Sequence, residues 1–238
     1  MTASVQVSVR ESEGVRNYAV SDVVGAHFDA AVPWRRFRPY RNQRHYTGAY
    51  WASTMRAHVG FESRLELANL LLLDFEPAVE GILSQPFLME GVDDGVRRRH
   101  VPDFLLRMVG GPLCLVDVKP ADRLDRPRVR ASLGWTRKVM DAERWEYRIC
   151  SEPDPVLAAN VRFLAGYRRP IQFTLADLAA ARSALSGEQC FDDAVDAIRV
   201  HVADRATARG LVLHLLWTRW LRADLSRLLQ GSTVVVAA

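Results

Sequence analysis

The apolar run LCLVDVKP, residues 113–120, carries an aspartate and a lysine where a buried strand should carry neither, and it constrains this chain more than any other segment. Bounded by Gly110-Gly111 and Pro120, it has the composition of a central strand, covered on both faces. Side chains alternate along a strand, so Asp117 and Lys119 share one face while Val116 and Val118 turn to the other. The segment before it, HVPDFLLRMV (100–109), reads as a second strand that begins beside Asp103. A hairpin at Gly110-Gly111 folds the two together and brings Asp103 alongside Asp117. Two carboxylates and one ammonium then lie on one sheet face. The purely structural alternative is a cross-face ion pair of Asp117 with Lys119, and Asp103 as a turn residue.

The rest of the chain frames these strands. From Phe61 to Phe75 the pattern FESRLELANLLLLDF is helical and apolar almost all round after Glu66, and Pro77 ends it. EGILSQPFLME, a turn at Asp93-Asp94-Gly95 and the two strands above read as an antiparallel meander. A helix over about 124–142, a strand at 145–151 and a helix after Asp154-Pro155 follow. Helix, meander, helix and strand predict an α/β sandwich with a mixed sheet flanked by helices. Residues 1 to about 30 show no strong period. Beyond Arg168-Arg169-Pro170 come helices near 174–186 and 190–199, another over 204–228 split by Gly210, and a terminal VVVAA strand. That order suggests a small, helical, winged-helix-like module. The expected organisation is an N-terminal extension at 1–55, a core at 56–168 and a C-terminal module at 169–238.

Composition removes several classes. Hydrophobic residues make up 49% of the 238 and charged ones 25%, ordinary for a globular chain. No apolar run approaches the ~20 residues that cross a bilayer, and the N-terminus lacks a signal-peptide pattern, so a cytoplasmic protein with no membrane partner is expected. Cys114, Cys150 and Cys190 are far apart and odd in number, which reads as buried, inert thiols. A net charge of +4 permits a nucleic-acid partner without requiring one. Of the 32 basic residues only Lys119 and Lys138 are lysines, so the other 30 are arginines. A lysine kept in such a chain is a compact ammonium with a tunable pKa, which guanidinium does not replace.

Hydrolysis of a phosphodiester needs this set of groups. Carboxylate oxygens hold Mg²⁺, for which Mn²⁺ substitutes, and a lysine positions the attacking water or offsets transition-state charge. The order Glu66, Pro102-Asp103, Asp117-Val118-Lys119, with the two aspartates 14 residues apart, resembles the PD-(D/E)xK nucleases, whose core is the restriction-endonuclease-like α/β fold. Within that superfamily SRLELANLLLLDFEP, SQPF, HVPDF and VDVKP resemble the TnsA-type endonuclease subunits of heteromeric transposases. The likeness extends more loosely to RNQRHYTGAYW and LLWTRWLRADLSRLL. Some members of that family carry Gln where this chain has Asp117. The resemblance implies Glu66, Asp103, Asp117 and Lys119 as catalytic residues, with the three carboxylates as metal ligands. It further implies cutting of the non-transferred strands at transposon ends in double-stranded DNA, a DDE-type transposase as partner and an ATPase regulator as another.

Several residues carry two readings. Glu66 also completes a capping box with Ser63, and Glu62, one turn earlier, is then the fallback. The basic-aromatic stretch 33–51 offers Arg35, Arg36, Arg38, Arg41, Arg44 and His45 to DNA, or is a solvated extension with aromatics in the core. Arg97, Arg98, Arg99 and His100 reach the backbone beside the scissile phosphate, or belong to a solvated hairpin. Gln85 approaches the site or is a strand-end amide. His27, His58, His201 and His214 are isolated and read as structural. Partner docking is expected around Trp217 to Leu229. The competing functions are a standalone restriction, repair or junction-resolving nuclease, and a catalytically idle DNA-binding scaffold.

Overall fold

The computed structural model describes residues 5–35 and 46–237, and the chain divides into two compact units that meet between Glu152 and Pro153. In the first unit Val5, Val7 and Val9 are buried at every second position. This period of two makes strand β1 (Gln6–Glu11), which turns back into β2 (Gly14–Ala19). A second hairpin comes next, β3 (Gly48–Ala52) with β4 (Ala57–Phe61). The expected extension at 1–55 therefore contributes strands to the first unit. Helix α1 (Arg64–Phe75) opens on Ser63, whose hydroxyl accepts the Glu66 N–H at 3.0 Å.

The expected meander is divided between two sheets. Strands β5 (Val79–Ser84), β8 (Phe104–Met108) and β9 (Leu113–Val118) lie side by side. Between β5 and β8 the chain leaves for a hairpin, β6 (Leu88–Asp93) and β7 (Val96–His100), which joins β1 and β2 in the order β2-β1-β6-β7. Helix α2 (Pro127–Ala142) then carries the chain across to β10 (Glu146–Cys150), which pairs parallel to β9. A parallel neighbour requires such a crossover. The first sheet is thus mixed, ordered β10-β9-β8-β5. Val7, Phe87, Met89, Leu105, Leu115 and Met140 join both sheets and α2 in a single apolar core.

The second unit runs α3 (Pro155–Leu164), α4 (Leu175–Ala184), β11 (Glu188–Cys190), α5 (Phe191–Arg199), α6 (Arg205–Trp217), β12 (Leu221–Ala223) and β13 (Val234–Ala237). Its three short strands form an antiparallel sheet, β11-β13-β12. The unit begins sixteen residues before the expected 169, because α3 packs on α6. Gly210 does not split α6. A Cβ there would come within 3.1 Å of the Phe173 ring, so the glycine serves close packing inside an unbroken helix. The helix ends at Trp217, well short of 228, and Asn160 ties down the chain between 225 and 229. Its amide donates to the Leu225 and Arg227 carbonyls and accepts from the Leu229 N–H. Trp217, Leu221 and Leu225, expected on a docking surface, are buried, whereas Leu228 is exposed. Among the described residues no helix is long and apolar enough to cross a membrane.

Asp74, buried near the end of α1, fastens the β3–β4 hairpin. It accepts from the Tyr50 hydroxyl at 2.7 Å and from the Ser53 and Thr54 N–H groups at 3.0 and 2.8 Å. Asp74→Ala removes the acceptor shared by these donors and is expected to cost about 3 kcal/mol in urea unfolding. Asp74→Asn keeps an acceptor oxygen and should cost less. An unchanged midpoint in the alanine variant contradicts this role.

Candidate active site

The ladder between β8 and β9 pairs Phe104 with Val116, so one step further Asp103 stands opposite Asp117. The turn that sets this register holds Gly110 and Gly111 at φ 85° and 95°, a left-handed conformation open to glycine. Lys119 sits just past the end of β9. Its backbone N–H donates to the Cys150 carbonyl at 2.9 Å, and its carbonyl accepts from the Ser151 hydroxyl. The ammonium thereby lies 2.8 Å from Asp103 Oδ2 and 4.0 Å from Asp117 Oδ1. The structure brings together the three residues expected to meet.

Their surroundings differ sharply. Asp103 Oδ2 also accepts the Val118 N–H at 2.7 Å, while Oδ1 takes no hydrogen bond among the described residues. Burial pushes the Asp103 carboxyl up, the charge of Asp117 adds to this, and Lys119 offsets only part. Asp117 is wholly buried. It accepts from the Tyr147 hydroxyl at 2.6 Å, and His100 Nε2 lies 2.8 and 2.9 Å from its two oxygens. Burial alone would raise the Asp117 carboxyl, but His100, Lys119 and Tyr147 hold it below the usual range. Burial disfavours the Lys119 ammonium, yet Asp103 and Asp117 keep it charged and raise its pKa.

His100 was expected to act with Arg97 to Arg99 on the DNA backbone and instead lies on Asp117, and Tyr147 was missed in the sequence. Histidine beside a Pro-Asp motif and a tyrosine inside a strand are both commonplace. The one available signal was that a carboxylate in an apolar run requires donors from somewhere.

Glu66 is brought to the same end of the sheet by α1. Asn69, one turn later, donates to the Leu65 and Ser151 carbonyls and docks the helix beside Lys119's neighbours. Glu66 accepts the Glu62 N–H at 2.7 Å and the Ser63 hydroxyl at 3.0 Å, so it bonds back onto the helix start, though at the Glu62 N–H and not at the Ser63 N–H of the expected capping box. Burial, followed by the charge of Asp103, pushes its carboxyl up to about 7. Capping and proximity to the aspartates coexist in one side chain. Glu62 instead pairs with Arg35 at 3.3 Å.

Among the described residues no three His, Cys, Asp or Glu side chains are gathered as a bound metal would require. Asp117 is turned to His100 and Tyr147, and Glu66 to its own helix start. The donor chemistry nonetheless fits a hard divalent cation. Asp103 feels the charge of Asp117 and Glu66 that of Asp103, burial pushes the Asp103 and Glu66 carboxyls up, and Asp103 keeps a free oxygen among the described residues.

Gln85 proves to be a structural clamp. At φ 46° it is a non-glycine residue in the left-handed region, and it is buried. Its N–H donates to the Asp103 carbonyl, its carbonyl accepts the Trp34 N–H, and its Oε1 accepts the Arg35 N–H. Residues 34–35 are thus led past the site. Arg36, Arg38, Arg41, Arg44 and His45 lie outside the described residues. On β7, Arg98 pairs with Asp93 and Arg99 with Glu90, while Arg97 is exposed. Of the cysteines, Cys114 is buried and its thiol is pushed up to about 12, whereas Cys150 and Cys190 are only half-buried. His214 is buried, with Nδ1 2.7 Å from the Tyr167 carbonyl oxygen.

No known family model matches the chain, and no curated protein matches it either.

The state of Glu66 has a measurable consequence. In the unfolded chain this carboxyl titrates near 4.5, and in the folded protein near 7. Within that window the folded state binds the extra proton, so stability falls as pH rises. Glu66→Gln abolishes that dependence at the cost of about 1 kcal/mol of helix capping. In EDTA, the melting temperature of the variant should lie below that of the wild type near about pH 5, and the gap should close or reverse by about pH 8. Parallel profiles contradict a carboxyl held neutral.

Proposed function

We propose that this chain is a metal-dependent DNA endonuclease of the PD-(D/E)xK type, acting as the endonuclease subunit of a heteromeric transposase. The observation that carries the reading is the meeting of Asp103, Asp117 and Lys119 across two adjacent strands, with the ammonium 2.8 and 4.0 Å from the carboxylates. The order α1, β5, β8, β9, α2, β10, with those four strands side by side, supports a restriction-endonuclease-like core. In the second unit the order α4, β11, α5, α6, β12, β13 supports a winged-helix-like module. There α6 is buried from Gly210 to Trp217, which leaves little of it to read base edges and favours a role in partner binding.

In this mechanism Asp103, Asp117 and Glu66 would hold Mg²⁺, with Mn²⁺ as substitute. When bound, the cation supplies a more acidic water and offsets charge on the phosphoryl oxygens. Lys119, kept charged by its two neighbours, offsets charge that develops on the scissile phosphate. His100 and Tyr147 fix the Asp117 carboxylate, and the Val118 N–H fixes that of Asp103. The polar groups that orient the site therefore come from β7, β9 and β10. Sequence choice falls to the partner transposase, because a net charge of +4 gives the chain only a modest grip of its own on DNA.

A second reading has one observation behind it. Asp117 is already saturated by protein donors, as a catalytically idle DNA-binding scaffold would allow. Divalent-metal titration separates the two: the nuclease binds Mg²⁺ weakly, and the scaffold does not bind it at the site.

The decisive experiment is cleavage of a cognate transposon end with and without the partner. Asp103→Asn, Asp117→Asn and Lys119→Ala should each lower Mg²⁺-dependent cutting by roughly a hundredfold or more, with circular dichroism unchanged. EDTA should abolish cutting, and Ca²⁺ should bind without supporting it. Full activity in any of these variants overturns the assignment. Efficient sequence-specific cutting by the chain alone favours a standalone restriction-type enzyme.

A further inference from the structure

The turn after Lys119 and the exposed face of α2 carry a concentration of positive charge that the site chemistry does not use. From 120 to 130 the sequence PADRLDRPRVR has four basic residues and two acidic ones. Arg123, Arg126, Arg128 and Arg130 are all exposed. Among the described residues, Arg126 alone of the four has an ion pair, with Asp122 at 3.9 Å on open surface, where such a pair is weak.

Helical spacing arranges these charges. Arg126, Arg130 and Arg137 fall on one face of α2, with Gly134 between the last two, and Asp141 closes that face at the far end. Buried Trp135 and Val139 hold the far side against the core, and buried Leu133 and Met140 border the stripe. At ~1.5 Å per residue the three arginines span roughly 16 Å.

The stripe is connected to the candidate site at both ends. Arg123 comes four residues after Lys119, so their Cα atoms lie within about 15 Å. The Arg137 guanidinium sits 5.2 Å over the Tyr147 ring, and the Tyr147 hydroxyl donates to Asp117. In addition, α2 begins without a side-chain cap and without an acidic residue in its first turn, so its free N–H groups favour an anion.

We propose that Arg123, Arg126 and Arg130 form a track that grips the phosphate backbone of duplex DNA and leads the strand to Asp103, Asp117 and Lys119. The inference rests on the nuclease reading and assigns it a DNA surface distinct from the segment at 33–51. Arginine suits the task because its fork binds phosphate oxygens in pairs, and nothing on the stripe reads base edges. The grip is indifferent to sequence.

The test measures binding of the full chain to random-sequence duplex DNA in EDTA across a range of salt. The triple variant Arg123→Gln, Arg126→Gln, Arg130→Gln should flatten the plot of log affinity against log salt by about 0.9 for each lost contact, up to about 2.7. The corresponding Lys variant, which keeps the charge, should restore most of the slope. A control of equal charge removal, Arg16→Gln, Arg56→Gln, Arg144→Gln, should flatten it by less than about one. Circular dichroism reports that each variant is folded.

An unchanged slope in the triple variant, or equal flattening in the control, overturns the track while leaving the nuclease reading standing. Unchanged DNA binding combined with loss of partner-stimulated cutting also overturns it, and assigns the stripe to an acidic protein surface. A wild-type chain with no salt-dependent affinity for duplex DNA defeats the track and the nuclease reading together.

Discussion

Two like charges facing each other across the end of an apolar ladder are the constraint on which the first unit depends. Opposed carboxylates destabilise a sheet, and burial makes the repulsion worse. Asp103 and Asp117 remain there because Lys119 lies close to both and because the Val118 N–H, His100 and Tyr147 supply further donors. Val118 and Lys119 belong to the end of β9, but His100 and Tyr147 come from β7 and β10. The constellation is therefore a property of the assembled unit and not of the β8–β9 hairpin that carries the two aspartates.

Much of the unit serves to hold those donors in register. The parallel pairing of β10 with β9 sets Tyr147 within reach of Asp117 and offers the Cys150 carbonyl to Lys119. Asn69 joins α1 to Ser151, and Gln85 joins the end of β5 to the Asp103 backbone. Gln85 does so in a left-handed conformation that a non-glycine residue adopts only under constraint. Strain of this kind, placed one residue from β5 and bonded to Asp103, marks a backbone whose position matters.

What could be read from the residues was what local rules govern. Strand parity placed Asp117 and Lys119 together, two glycines gave the turn, and Ser63 gave the start of α1. The mixed sheet and its crossover helix also came from the pattern of runs. Strand pairing over long distances was not legible. Leu88 to His100 reads as the continuation of a meander, yet its partner is β1, more than eighty residues earlier in the chain. The alternation of Val5, Val7 and Val9 was a strand signal too short to stand out beside the longer runs. Gly210 misled for the opposite reason: a residue that usually interrupts a helix was there to admit Phe173. His100 was read with its arginine neighbours and Tyr147 escaped notice, because nothing local distinguishes a histidine or tyrosine that will satisfy a buried carboxylate.

The departure of β6 and β7 into a second sheet has a consequence for how the protein comes into being. His100 can reach Asp117 only when β7 is in place. β7 is held by β6, which pairs with β1 near the N-terminus, whereas Tyr147 arrives near the end of the first unit. A chain still being synthesised, or one that has misplaced either sheet, possesses the aspartates without the geometry. Completion of the first unit is itself the condition for the site's geometry: Asp103, Asp117 and Lys119 have all their donors only when both sheets are in place.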